Sequence, residues 1–184
     1  EPTRLIVGDR NLFREHVTVH RSNMPDEDTR IGSENFFMAN SHVGHNTVVG
    51  NKVVLANGPL VGGHAMIGDG AFLAGNAVVH QFCRVGAMAM MQGCAGVSLD
   101  LPPFTIVRGI NGMCGLNSVG LKRAGFSTEE RQELKKAYHA LFLSDDLLKD
   151  ALEKARKAFP GVLAEQLIDF VATSQRGTCS HTKR

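Results

Sequence analysis

The chain has 184 residues, enough for one sizeable domain with a small appendage at roughly 100–200 residues per domain. Its 20 Lys and Arg nearly balance 18 Asp and Glu, so no strong field argues for nucleic acid or a membrane surface as partner. No apolar run approaches the ~18 residues of a membrane span, and "EPTRLIVGDR" lacks the basic and apolar regions of a secretory signal.

A cytoplasmic protein without stable membrane insertion is therefore expected. Glu1 is not a methionine, which points to a fragment, a processed chain or a trimmed one. Twenty glycines, no tryptophan and a single tyrosine suggest a repeat.

In chain order, Val7, Phe13 and Val19 are spaced by six. The polar stretch "HRSNMPDEDTR", residues 20–30, interrupts them and reads as a loop excursion from one corner. From Ile31 a step of six then lands on Phe37, Val43, Val49, Leu55, Val61, Ile67, Leu73, Val79, Val85, Met91 and Val97 without a miss. The next position holds Gly32, Gly44, Gly50, Gly62, Gly68 and Gly86, with Ala56 and Ala74.

A period of six fits neither a helix nor a meander. It is the period of a hexapeptide β-helix, in which three hexads close a triangular coil of roughly 18 residues and coils stack at about 4.8 Å. The aliphatic residue points inward, and the small one serves the corner, by avoiding a crowded Cβ or by allowing φ > 0. The period itself does not show handedness.

The pattern ends at "DLPPF", residues 100–104, where two prolines cannot donate to a ladder. Residues 1–105 thus read as β-helix, and 106–184 as a connecting segment with a helical C-terminal domain. Ser127 and Glu130 form a capping box ahead of Leu134, Ala137, Tyr138, Leu141 and Phe142 at helical spacing. Ser144 is read as the cap of a second helix stopped by Pro160, and a third spans 162–173. The tail "RGTCSHTKR" reads as frayed. Cys83, Cys94, Cys114 and Cys179 show no C-x-x-C pairing and read as reduced, buried thiols.

Stacking by 18 gives the polar residues a geometry. His45 falls over Gly63 and Gln81, and Asn46 over His64, so His45, Asn46, His64 and Gln81 gather at one corner across three coils. Zinc is the first candidate, because "HVGH" offers His42 and His45, but no carboxylate or cysteine completes a ligand set. Histidines with no task remain an alternative. The clustering favours a general base that takes a proton from a hydroxyl or amine. A filled interior forces such a site to an outside edge, where a neighbouring subunit supplies the cleft.

"NSHVGHNTVVGN", "VVHQFCRVGA" and "GLNSVGLKRAGF" resemble the UDP-N-acetylglucosamine O-acyltransferase family of lipid A biosynthesis, and the resemblance runs over nearly the whole chain. It implies a homotrimeric left-handed β-helix that moves a 3-hydroxyacyl group from acyl carrier protein to the glucosamine 3-hydroxyl of a UDP-sugar. No cofactor and no metal are implied, since the carrier thioester is a co-substrate. His45 matches the catalytic base and Gly63 the backbone N–H that binds the oxyanion. His42, His64, His80 and Gln81 match pocket-lining positions, and Asn117 and Arg123 match nucleotide contacts. Gly93 matches the position that limits acyl length, and as glycine it implies room for a long chain. Lys122, Arg123 and Arg131 offer a basic surface for the acidic carrier.

The chain departs from the family at three places. Asn46 stands where an aspartate follows the base, and its amide carries no charge to stabilise an imidazolium. Val119 replaces an acid, with the basic pair reduced to Arg123-Ala124. Coils that precede "EPTR" in the family, bearing an acid and a lysine that contact the sugar, are not in this sequence. Three alternatives therefore stay open: an N-acyltransferase on UDP-acylglucosamine, a coenzyme A-dependent acetyltransferase, and a weakly active or inactive trimeric scaffold.

Overall fold

The computed structural model describes residues 2–182; Glu1, Lys183 and Arg184, and with them the reading of the chain start and the last two tail residues, lie outside the described residues. The hexads wind into a coil of three parallel sheets. Sheet one holds Arg4–Val7, Asp28–Ile31, Val48–Val49, Met66–Ile67 and Arg84–Val85. Sheet two begins with Leu12–Phe13, Phe36–Phe37, Val54–Leu55, Phe72–Leu73 and Met90–Met91, and sheet three holds Thr18–Val19, His42–Val43, Leu60–Val61, Val78–Val79 and Gly96–Val97. Neighbouring strands pair at a step of 18, as in Val49↔Ile67↔Val85. Across the first coil the step is 24, as in Val7↔Ile31 and Val19↔Val43. The excursion is therefore an insertion of six residues, and it leaves from the corner between sheets three and one, the corner that carries His45.

All twelve residues of the hexad series from Ile31 to Val97 are buried, none above 3% exposed, each contributing about 1.5–3 kcal/mol by leaving water. A second inward position lies four residues after each of them. Val53, Ala65, Ala71, Ala77, Cys83, Ala89 and Ala95 hold it at 0% exposure, and Asn35, Ser41, Thr47, Pro59 and Leu101 hold the rest, also buried. Small side chains are needed there because three corners converge on one narrow interior. In the first coil, which has no described coil above it, inward Val7 and Phe13 are 43% and 40% exposed.

The small residue after the inward one serves crowding and not φ. A Cβ on Gly68 would stand 2.5 Å from the Ala87 nitrogen of the next coil, with no positive φ at that position. The left-handed position comes two residues later, held by Asn40, Asn46, Gly58, Gly70 and Asn76 but also by Arg10, His16, Glu34, Lys52, His64, Phe82, Met88 and Cys94. Glycine and asparagine tolerate it best, which explains their recurrence there.

The β structure continues beyond Phe104, contrary to the reading of "DLPPF". Thr105–Arg108 pairs with Met90–Met91, Gly112–Leu116 folds back antiparallel on it, and both extend sheet two. Pro102 and Pro103 end no sheet, because they fall at a corner after Leu101, where no ladder N–H is required. The tail is not frayed over its described residues. Ser180–His181 pairs with Gly112–Leu116, Cys179 N–H donates to the Asp100 carbonyl at 2.9 Å, and Tyr138 Oη contacts His181 Nδ1 at 2.8 Å.

Four helices follow the coil: α1 (Ser118–Arg123), α2 (Thr128–Phe142), α3 (Leu148–Ala158) and α4 (Val162–Ala172). The capping box of Ser127 and Glu130 forms at α2. Ser144 does not cap α3. Its hydroxyl donates to the Ala140 carbonyl, and α3 starts after Leu147 without a side-chain cap. Arg84 ties the helices to the coil by pairing with buried Asp100 at 2.9 Å, donating to the Phe170 carbonyl and lying over the Phe170 ring. No helix among the described residues is long and apolar enough to cross a membrane. All four cysteines are free, but only Cys83 and Cys179 are buried; Cys94 is exposed at a corner and Cys114 half-buried. Burial pushes the Cys179 thiol up to about 12 and raises Cys83 in the same direction.

Gly68→Ala should lose about 2 kcal/mol in urea unfolding, because backbone of the next coil must move. Gly75→Ala meets only the Asn57 carbonyl at 3.5 Å, with no positive φ, and should be neutral or gain about 0.5 kcal/mol.

Candidate active site

The corner between sheets three and one is built from Gly44–Thr47, Gly62–Ala65 and His80–Cys83 in three successive coils. His45 lies over Gly63, as the period requires. A Cβ on Gly63 would stand 2.8 Å from both Cε1 and Nε2 of the imidazole, so the ring occupies space that only glycine leaves open. His64 meets His45 edge-on at 5.1 Å between centroids and stacks on Phe82 at 4.7 Å and 13°. Asn46, His64 and Phe82 share the left-handed position, with φ of 59°, 58° and 64°.

His45 Nδ1 lies 2.9 Å from Asn46 Oδ1. That oxygen accepts, so Nδ1 carries the ring proton and the lone pair is on Nε2, beside Gly63. Asn46 is held in turn from the inserted loop. Its Nδ2 donates to Ser22 Oγ at 2.8 Å and Glu27 Oε2 at 2.7 Å, and its backbone N–H to Thr29 Oγ1 at 2.8 Å. Glu27 Oε2 also lies 3.7 Å from His64 Nδ1. Sequence reasoning missed Ser22 and Glu27, because the loop has no period from which to place them, and Thr29, which it put in the loop and which lies on the strand Asp28–Ile31.

At the position equivalent to Gly63 on the next corner each N–H is capped by a side chain one coil away: Asp9 by Ser33 Oγ, Ser33 by Asn51 Oδ1, and Asn51 by Asp69 Oδ1, at 2.7–2.9 Å. Gly63 N–H makes no such bond among the described residues. A basic Nε2 and a free N–H therefore share one corner, as deprotonation of a nucleophile next to an oxyanion site requires.

The other predicted residues spread over the molecule. His42 lies on sheet three beside the corner, with Nδ1 2.8 Å from Thr18 Oγ1 and its ring 4.6 Å from that of His20. His80 and Gln81 are exposed at the His45 corner, and His80 Nδ1 lies 3.1 Å from the Gln81 carbonyl oxygen. Asn117 belongs to the corner between sheets one and two, where its Oδ1 caps α1 at Gly120 and its Nδ2 donates to the Met88 carbonyl. Arg123, Lys122 and Arg131 line a shallow depression with Val119, and the Arg131 guanidinium is partly spent on the Phe126 and Ser127 carbonyls. Gly93 sits at the third corner, exposed, where a Cβ would find room 3.6 Å from the Gly75 carbonyl. One chain thus carries the matched positions on three different edges.

An acyl-[acyl-carrier-protein]–UDP-N-acetylglucosamine O-acyltransferase of Anaeromyxobacter sp. (strain Fw109-5) is 44% identical over 96% of this chain and 70% of its own length. The chain belongs to the UDP-N-acetylglucosamine O-acyltransferase family. The enzyme of that name from Alkalilimnicola ehrlichii is also 44% identical, with the same coverage. The family's second-domain model matches residues 100–179. A solved UDP-N-acetylglucosamine O-acyltransferase of Moraxella catarrhalis and a solved UDP-N-acetylglucosamine acyltransferase of Francisella novicida superpose with TM-scores of 0.92 at 36% and 34% identity. They cover 97% and 99% of this chain, and 71% and 67% of their own chains are matched. The coil is the left-handed parallel β-helix of this family, and the chain is an acyltransferase.

Burial first, and the neighbouring His20 second, hold the His42 imidazole below its ordinary 6.5. The neutral ring is the favoured form, so its contribution to stability is present above pH 6.5 and fades as pH falls through the lower folded value. His20→Gln removes the second cause, and the NMR titration midpoint of His42 should rise toward 6.5 without reaching it.

Proposed function

We propose that this chain transfers a 3-hydroxyacyl group from acyl carrier protein to the 3-hydroxyl of UDP-N-acetylglucosamine, with His45 as the general base. The observation that carries the reading is the pairing of a Nε2 lone pair, fixed by Asn46, with the uncapped N–H of Gly63. His45 Nε2 takes the proton of the sugar hydroxyl, and the oxygen attacks the thioester carbonyl. The negative charge that develops on the carbonyl oxygen faces Gly63 N–H. Collapse of the tetrahedral intermediate forms the ester and releases the carrier thiolate, which takes its proton back from the imidazolium. No cofactor or metal enters these steps.

We assign assembly as a homotrimer to the same proposal. Support comes from the dispersal of the matched residues over three edges of one chain: His45 at the first, Asn117 at the second and Gly93 at the third. A pocket that uses them together needs edges from different copies. Apolar Leu60, Met66 and Val78 flank the His45 corner on its two sheets and Phe82 stands at the corner itself, all 44–50% exposed, as a contact between copies requires. Lys122 and Arg123 are the surface we assign to the acidic carrier protein, and free thiols suit the reducing cytoplasm. The O-acyl acceptor is preferred over the N-acyl one because both relatives at 44% identity are O-acyltransferases.

His45→Ala should lower kcat by about 10²–10⁴-fold with the fold intact, measured as transfer from 3-hydroxyacyl carrier protein to UDP-N-acetylglucosamine. Gly63→Ala should lose about 10²-fold by displacing the imidazole. Wild-type protein with no transfer, or His45→Ala with full activity, would sink the reading.

A further inference from the structure

The Asn46 amide is committed at every polar atom. Nδ2 donates to Ser22 Oγ and to Glu27 Oε2, and Oδ1 accepts from the Asn23 backbone N–H at 3.2 Å and from His45 Nδ1 at 2.9 Å. Ser22 spends its own proton on the Met24 carbonyl at 2.9 Å, so toward Asn46 it can only accept. Turned over, the amide would set its oxygen against the Glu27 carboxylate and its NH₂ against the Asn23 N–H. Both contacts repel. The orientation is therefore chosen by Glu27 on one side and Asn23 on the other, and it dictates which nitrogen of His45 holds the proton.

Proton uptake by Nε2 leaves a positive ring whose Nδ1–H points at a neutral oxygen. A charge-assisted bond from Asn46 Nδ2 to Glu27 polarises that amide and makes its oxygen a better acceptor. Asp28 cannot take this part, because its buried carboxylate is held by Arg4 and Arg30. By register Arg21 stands in the column of His45, one coil away, and brings a positive charge to the same edge.

We infer that Glu27 is the positioning residue of the base: through Asn46 it holds His45 as the Nδ1–H tautomer and supplies the negative charge that an aspartate in place of Asn46 would supply directly. The inference rests on the reading of His45 as base. The six-residue insertion is then a working part of the corner, since it delivers Ser22, Asn23 and Glu27 to one side chain.

The test is a cycle on the full chain: wild type, Glu27→Gln, Asn46→Asp, and the pair together. Glu27→Gln keeps the shape of a half-exposed side chain and should lower kcat about tenfold, with both KM values unchanged, because the charge-assisted bond is lost. The double variant should recover most of the loss, because Asn46→Asp sets a carboxylate directly against Nδ1–H and Glu27→Gln supplies an amide that donates to it. Asn46→Asp alone sets two carboxylates together and should be less active than the double variant.

A second readout needs no substrate. The downfield Nδ1–H proton resonance of His45 should move upfield in Glu27→Gln and return in the double variant. Wild-type kcat in Glu27→Gln, a double variant no better than Glu27→Gln, or an unmoved resonance would overturn the inference. Absence of acyl transfer in the wild type would overturn the functional reading instead, and the resonance would still decide the link between Glu27 and His45.

Discussion

Everything in this structure depends on the stacking of one coil on the next by backbone hydrogen bonds. Gly44 N–H donates to the Val61 carbonyl and Gly62 N–H to the Val79 carbonyl, at 2.8 and 2.9 Å, and the same bond recurs along each sheet. Once coils sit at that spacing, a Cβ at Gly32, Gly44, Gly62, Gly68 or Gly86 would meet backbone of the next coil. The interior is narrow, so one large and one small side chain per hexad fill it. Corners become columns, and residues 18 apart in sequence become neighbours.

The chemistry of the His45 corner follows from the same stacking. A histidine over a glycine places an imidazole beside a backbone N–H that has no side-chain cap, where Asp9, Ser33 and Asn51 at the next corner have theirs. The inserted loop leaves from this corner and no other, because the six extra residues fall between Val19 and Ile31, the turn directly above Asn46. The edge that carries His45 and Gly63 is also the edge from which the additional chain leaves.

Much of this was legible in the residues. The series from Ile31 to Val97 fixes the period, the period fixes the columns, and the columns set His45 over Gly63 and Asn46 over His64. Where reading failed, a local rule met a tertiary one. Pro102 and Pro103 looked like the end of a sheet, but at a corner their missing N–H costs nothing. Ser144 looked like a cap, yet its hydroxyl returned to the end of α2. The tail looked frayed because two residues of strand are invisible to any period, and only the free edge of sheet two gives them a partner.

The sequence by itself determined the coil, its inward residues, the family and the candidate for the base, because each follows from a repeat or a run of specific residues. The tertiary structure alone decided how that histidine is held. Glu27, Ser22 and Asn23 belong to a loop without period, and nothing in their spacing points them at Asn46. Their partners are set by which corner the loop crosses, and hydrogen-bond direction then leaves one orientation for the amide and one tautomer for the ring.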